Sequence, residues 1–121
     1  LMEYNRFGVI VKVNNIDICR SFYRDVLKLG EPILDSTFRV VFKRGNALLI
    51  LDCCKAKYLE HSSSSVNLLL GCDDVDAVRN SLIENGYNPV PYETPNPQML
   101  FYSCSDPENN LIHFYGSNEN I

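Results

Sequence analysis

The chain repeats one pattern of apolar segments twice, and this duplication limits the fold more than any other feature of its 121 residues. Each copy has the pattern of a strand, a helix and three further strands. The best match sets residues 13–17 (VNNID) against residues 72–76 (CDDVD), and a second sets residues 45–50 against residues 109–114. A repeat of about 60 residues exceeds the roughly 20–50 of solenoid units. The duplication therefore predicts two packed modules.

We predict an α+β fold in which two tandem βαβββ modules form a cupped mixed sheet around a cavity, with the helices on the outer face. The modules are expected at residues 7–52 and 66–115. Residues 53–65, which end in four serines, are predicted to be a linker. A chain of this length suits one domain, residues 1–121.

The two helices carry start signals, apolar faces and stop signals. Asn14 and Asn15 offer an N-cap to the first helix, and Asp73 and Asp74 offer one to the second. Glycines at 30 and 86 are expected to end them. The positions with helical spacing are Ile16, Cys19, Phe22, Tyr23, Val26 and Leu27 in the first helix and Val75, Val78, Leu82 and Ile83 in the second.

Alternation along the strands predicts which side chains line the cavity. In the first strand the valines at 9, 11 and 13 suit the helix side, which leaves Gly8, Ile10 and Lys12 for the cavity. In the last strand, His113 and Tyr115 fall on the cavity side. The match between the copies assigns Leu49 to the cavity as well.

The expected lining is apolar with a few polar groups, which suits a small, partly apolar organic ligand. The predicted ligand-binding residues are His113, Asn67, Tyr115, Lys12, Leu49, Tyr102 and Arg39. Asn67 is expected as a cross-strand neighbour of His113, and the two tyrosines could stack on a planar molecule. The alternative is that the strands close on one another as core, that the tyrosines belong to that core, and that Lys12 and Arg39 reach solvent.

Charge and composition exclude several classes of protein. A net charge of −4 and a pI near 5.0 argue against nucleic-acid binding, which needs a basic surface. No apolar run approaches the roughly 20 residues that cross a bilayer. Five cysteines, an odd number, without an evident secretory leader predict free thiols and a cytoplasmic location.

Three segments resemble the vicinal oxygen chelate superfamily, which includes glyoxalase I, bleomycin-resistance proteins, extradiol dioxygenases and fosfomycin-resistance proteins. Residues 21–27 (SFYRDVL) look like part of its first helix, and residues 72–77 (CDDVDA) like the start of its second module. Residues 106–115 (DPENNLIHFY) are similar to its closing motif. The ordered set covers nearly the whole chain and implies paired βαβββ modules around a ligand cavity.

In metal-dependent members of the superfamily, the ligands stand on the first and last strands of the modules. The resemblance carries those positions to Gly8, Leu49, Asn67 and His113. Two of these residues have no donor atom, and Asn67 offers only a neutral amide. A catalytic divalent site needs about three protein ligands. We therefore predict no metal and no cofactor.

The sequence thus favours a glyoxalase/bleomycin-resistance-like protein that binds a small, partly apolar organic molecule without a divalent metal. A divergent lyase, isomerase or dioxygenase that uses His113 is the first alternative, because histidine can transfer protons near neutral pH. A non-catalytic interaction module is the second. Whether the chain is an enzyme stays open. A homodimer is expected, since the superfamily commonly associates through its sheets.

Overall fold

A computed structural model describes residues 2–53, 66–92 and 99–117 and divides the chain into two units, Leu1–Ser62 and Ser63–Ile121. In the first unit, strand β1 (Phe7–Val13) is followed by helix α1 (Ile16–Ser21). Strands β2 (Leu34–Asp35), β3 (Arg39–Arg44) and β4 (Ala47–Cys53) complete it. β4 includes Cys53, which was predicted in the linker. The rest of that linker, residues 54–65, lies outside the described part.

The second unit has the same order of elements. Strand β5 (Leu68–Gly71) leads to helix α2 (Val75–Glu84), and strands β6 (Val90–Tyr92), β7 (Met99–Ser105) and β8 (Leu111–Ser117) follow. The described residues form two four-stranded sheets, with orders β1-β4-β3-β2 and β5-β8-β7-β6. In each sheet the first strand runs parallel to the last, and the other neighbours are antiparallel. The predicted α+β class and repeated βαβββ layout are confirmed, whereas the cavity and the single domain stay predictions.

The predicted helix caps are present. The side chain of Asn15 accepts a hydrogen bond from the Ile18 amide at 3.2 Å, and that of Asp74 accepts one from the Ala77 amide at 3.1 Å. Each cap satisfies an amide that the first turn of a helix leaves without an intrahelical partner. These short polar side chains therefore fix where both helices begin.

The first helix packs on its sheet through the face that the sequence predicted. Ile16, Cys19, Phe22, Tyr23, Val26 and Leu27 are all buried. Burial of each large apolar side chain contributes about 1.5–3 kcal/mol to folding. In α2, Val75 and Leu82 are buried, but the prediction for Ile83 is wrong because its side chain is 47% exposed.

The end of the first helix differs from the expected glycine stop. After Ser21 the chain continues as a π-helical turn over Phe22–Val26, and Lys28 then adopts φ +57°. The chain therefore leaves the helix two residues before Gly30. α2 does end as predicted, with Gly86 at φ +88°. No helix among the described residues is both long and apolar enough to cross a membrane.

The hairpin between β7 and β8 is held by one carboxylate. Asp106 is 3% exposed, and its side chain accepts hydrogen bonds from the amides of Glu108 and Asn110 and from the Asn110 side chain, at 2.8–3.0 Å. Asn109 takes the left-handed conformation that the turn requires, with φ +66°. Asn tolerates that conformation better than most residues.

Replacement of Asp106 by alanine should lower the free energy of unfolding by about 2–3 kcal/mol, since it removes a buried acceptor from three donors. Asp74→Ala, which removes only a helix cap, should lower it by about 1 kcal/mol. Urea denaturation followed by circular dichroism measures both values. Equal losses in the two variants would contradict a special role for Asp106.

Lys28→Gly should raise the free energy of unfolding by about 0.5–1 kcal/mol. A residue with a Cβ atom is sterically strained in the left-handed conformation, and glycine removes that strain. Glycine also gives the unfolded chain more conformational entropy, which offsets part of the gain. Lys28→Ala should bring no gain, because alanine keeps the Cβ atom. The same denaturation experiment decides, and a destabilised glycine variant would show that Lys28 is not strained.

Candidate functional site

The pairing of strands decides which side chains share a face of each sheet, because paired residues and alternate residues along a strand lie on the same side. In the second unit, Ile112 and Phe114 are fully buried and mark the helix face. The opposite face is called the open face of the second sheet. Its described central residues are Leu69 and Gly71 of β5, Phe101 and Ser103 of β7, and His113 and Tyr115 of β8.

His113 lies at the centre of this open face, as predicted. It pairs with Leu69 on one side and with Ser103 on the other. The Ser103 hydroxyl lies 2.9 Å from Nδ1 of His113, and the imidazole is half-buried. This hydrogen bond helps to fix the orientation of the ring on the open face.

Tyr115 lies beside His113 on the same strand and stacks on Phe101. The ring centroids are 5.1 Å apart and the planes differ by 15°. The tyrosine ring also lies across Gly71, where a Cβ atom would come within 3.1 Å of Oη and 3.2 Å of Cζ. Gly71 thus leaves the space that the ring occupies. The result is a stacked aromatic pair next to a hydrogen-bonded imidazole.

Phe101 and Ser103 were missed by the sequence analysis. The signal was present in the hairpin, where the turn after Ser105 sets Ser103 opposite His113 and Phe101 opposite Tyr115. The register of this hairpin therefore predicts that Ser103 pairs with His113 and Phe101 with Tyr115.

Tyr102, which was predicted to bind ligand together with Tyr115, does not share a face with it. Tyr102 alternates with Phe101 and Ser103 and therefore lies on the helix face, where it stacks on Phe114 with centroids 5.4 Å apart. Arg79 of α2 lies over its ring at 5.9 Å. The tyrosine thus belongs to the packing between α2 and the sheet.

The prediction for Leu49 is also wrong. Leu49 pairs with Val9 and Phe42 and is 7% exposed, so it lies on the helix face of the first sheet. Its neighbour Ile50 lies on the other face, and it occupies the position that His113 has in the second unit. The match between the two copies was therefore off by one residue.

The physical reason is a difference in turn length. Arg44 and Ala47 pair across two residues, whereas the amide of Asp106 bonds to the carbonyl of Asn110 across three. A comparison that ignores this extra residue transfers every position of the last strand to the wrong face.

Asn67 is exposed and directly precedes β5, on the side of the open face by alternation with Leu69. The expectation that it pairs with His113 is wrong, because Leu69 takes that place. Asn67 therefore stands at the margin of the site.

Lys12 and Arg39 lie on the first sheet, on the face away from α1. Both are exposed. Both pair with Asp52 of β4, the strand that lies between β1 and β3. Arg39 forms an ion pair with Asp52 at 3.3 Å. The predicted orientation of both residues agrees with the strand register, and they belong to the other unit from His113.

A divalent metal does not fit the positions that the resemblance indicates. A Cβ atom at Gly8 would lie 2.9 Å from the Leu48 carbonyl oxygen, so that no side chain is accommodated there without movement. Ile50 has no donor atom, and Asn67 and His113 do not pair. Within residues 2–53, 66–92 and 99–117, no three His, Cys, Asp or Glu side chains are grouped to hold an ion.

The thiol of Cys72, directly after β5, follows Gly71 and by alternation lies on the other face of the sheet. Burial raises the pKa of Cys72, and the negative charge of Asp73 raises it further, although a backbone hydrogen bond with Tyr115 acts in the opposite direction. The group that binds metal is the thiolate, which this environment disfavours.

Comparison with solved structures places the fold among the glyoxalase, bleomycin-resistance and dioxygenase proteins. The chain is similar to a lactoylglutathione lyase from Agrobacterium tumefaciens, with 21% identity over 91% of each chain and a TM-score of 0.72. It is similar to TnmS3, an antibiotic binding protein from Streptomyces sp. CB03234, with 22% identity over 96% of this chain and 97% of that one, and a TM-score of 0.72.

A third similar structure is a glyoxalase/bleomycin resistance protein/dioxygenase family enzyme from Burkholderia phytofirmans PsJN. It has 19% identity over 91% of this chain and 96% of that one, and a TM-score of 0.72. No family model and no curated protein sequence matches the chain. At these identities the comparisons show the fold alone, which the chain shares with these glyoxalase, antibiotic binding and dioxygenase family structures.

Gly71→Ala should displace the Tyr115 ring from its stack on Phe101, because the new methyl group needs the space of the ring. The shifts of the Tyr115 ring protons in NMR spectra measure the change. Gly116→Ala, on the helix face of β8, is the control: its Cβ meets the Cys72 carbonyl oxygen and the Val75 Cβ at 3.0 Å, on the other side of the sheet from the Tyr115 ring, so it should lower stability and leave the stack on Phe101 in place. Unchanged Tyr115 shifts in Gly71→Ala would refute this dependence.

Proposed function

We propose that this protein binds a small, planar, partly apolar organic molecule on the open face of its second sheet, without a divalent metal. The observation that carries the proposal is the stacked pair of Phe101 and Tyr115 beside the hydrogen-bonded pair of Ser103 and His113. Aromatic rings prefer offset-stacked partners, and such pairs contribute about 0.5–1.5 kcal/mol beyond the burial of their area.

The chemistry of the face supports an uncharged ligand. Its described central residues include no Asp, Glu, Lys or Arg, and leucines at 69 and 111 flank His113, on β5 and on β8 respectively. A planar molecule can lie against the rings, next to the hydrogen-bonded pair of Ser103 and His113. This combination of apolar area and a few placed polar groups is typical of small-molecule sites.

The comparisons agree with this reading at the level of the fold. One similar structure is described as an antibiotic binding protein, and another as a lyase. For this chain we favour ligand binding over lyase activity. Gly8 and Ile50, which stand at the expected metal-ligand positions, have no side-chain donor atom. The homodimer and the cytoplasmic location stay predictions.

The test is titration with 2-naphthol, a neutral planar probe, followed by calorimetry in the presence of EDTA. The wild-type protein should bind it, and Tyr115→Leu should weaken binding by about 1 kcal/mol, roughly fivefold, because leucine keeps apolar area but cannot stack. Ser103→Ala should weaken it as well, since the imidazole loses its partner.

Ser105→Ala is the matched control, because Ser105 lies two residues further along β7, opposite Leu111 and exposed. It should bind 2-naphthol like the wild type. Binding that disappears with EDTA and returns with zinc, nickel or manganese would overturn the metal-free proposal. Equal affinity in the wild type and Tyr115→Leu would overturn the site.

A further inference from the structure

The pair of Ser103 and His113 joins a hydroxyl to an imidazole on the open face of the second sheet. Ser103 Oγ lies 2.9 Å from Nδ1 of His113, and both residues are partly exposed. A serine hydroxyl within hydrogen-bond reach of an imidazole can be activated as a nucleophile, because the imidazole accepts the proton that the hydroxyl loses. The two side chains therefore have the relative position of a nucleophile and its general base.

The first unit provides an internal reference for this pair. Its equivalent residues are Val41 on β3 and Ile50 on β4, which pair across the same two strands of a sheet with the same order. An aliphatic pair at these positions is thus compatible with the sheet. The fold does not require the hydroxyl and the imidazole of the second unit, so they invite a chemical explanation.

The stacked pair of Phe101 and Tyr115 is the next pair on the same face of β7 and β8. Two residues along a strand correspond to roughly 7 Å. An aryl ester carries its carbonyl carbon one oxygen atom away from a planar ring. A molecule of this class can therefore contact the aromatic pair with its ring and reach Ser103 with its carbonyl carbon.

We propose that Ser103 is a nucleophile, activated by His113, that accepts the acyl group of a small aryl ester. This activity goes beyond the binding proposed above and rests on it for the place of the aryl ring, against Phe101 and Tyr115. It requires the tautomer of His113 in which Nε2 carries the proton. Nδ1 then accepts the hydrogen bond that the Ser103 hydroxyl donates.

The reaction is an acyl transfer from one oxygen atom to another. Ser103 Oγ forms a bond to the ester carbonyl carbon while its proton moves to Nδ1 of His113. The bond between that carbon and the aryl oxygen then breaks, and the departing aryl oxygen takes the proton from Nδ1. The products are an acylated Ser103 and a free aryl alcohol. Water later hydrolyses the acyl-serine to a carboxylic acid and restores the hydroxyl.

The acyl-serine is the product that an experiment should detect. The described central residues of this face include no Asp or Glu that orients the imidazole, as the aspartate of a serine–histidine–aspartate triad does. Loss of that aspartate lowers kcat by about 10⁴-fold in a serine protease. We therefore expect slow acylation and slow hydrolysis rather than rapid turnover.

The experiment is incubation with 2-naphthyl acetate in the presence of EDTA. Fluorescence measures the release of 2-naphthol, and mass spectrometry with peptide fragmentation locates the acetyl group. The wild type should release one equivalent of 2-naphthol rapidly and carry one acetyl group on Ser103. Ser103→Ala should lose both signals. His113→Gln should acylate about 100-fold more slowly, because glutamine can hydrogen-bond but cannot act as the base.

Ser103→Cys tests the nucleophile without removing it, since a thiol also attacks esters, and it should still carry an acetyl group at position 103. Ser105→Ala is the matched control, because Ser105 lies on the same face of β7 but opposite Leu111. It should behave like the wild type. Circular dichroism verifies that all variants are folded.

An acetyl group on another residue instead of Ser103, or equal rates in the wild type and His113→Gln, would overturn the inference. Unchanged 2-naphthol release in Ser103→Ala would do the same and would indicate that the imidazole itself attacks the ester. Calorimetry with 2-naphthol separates this inference from the proposed function. Binding of 2-naphthol without acetylation would overturn the nucleophile and leave the binding site. Acetylation of Ser103 without 2-naphthol binding would support the nucleophile and overturn the aromatic seat.

Discussion

The parallel pairing of the first and last strands in each unit is the constraint on which the rest depends. It sets Val9 beside Leu49 in the first sheet and Leu68 beside Ile112 in the second. Once these pairs exist, alternation assigns every other side chain on the sheet to one of two faces. One face packs against a helix, and its central residues are buried and apolar. The other face carries the candidate ligand-binding residues.

Local signals in the sequence were sufficient to predict the helices and strands and the order in which they follow one another. Asn15 and Asp74 mark helix starts because a short polar side chain caps exposed amides, and Gly86 marks an end because it tolerates a positive φ. The apolar spacing of the first helix predicted all six of its buried positions. These features depend on neighbours within a few residues, which a sequence contains directly.

Non-local register was not accessible in the same way. Leu49 was assigned to the wrong face because the two hairpins differ by one residue, and Tyr102 because its strand was not paired with the next. His113 and Tyr115 were placed correctly, since they follow from alternation along a single strand. The exposure of Ile83 shows the same limit, because the burial of a helix residue depends on which elements pack against it, and apolar spacing alone does not fix that.

The carboxylate of Asp106 has a consequence for chemistry as well as for stability. It fixes a turn that is one residue longer than its counterpart in the first unit, and the length of a turn sets the register of the strands it joins. If β8 slid by one residue, Ile112 and Phe114 would exchange sides with His113 and Tyr115. The imidazole and the aromatic surface would then face the helix. A buried side chain outside the site thus determines which chemical groups the protein presents to a ligand.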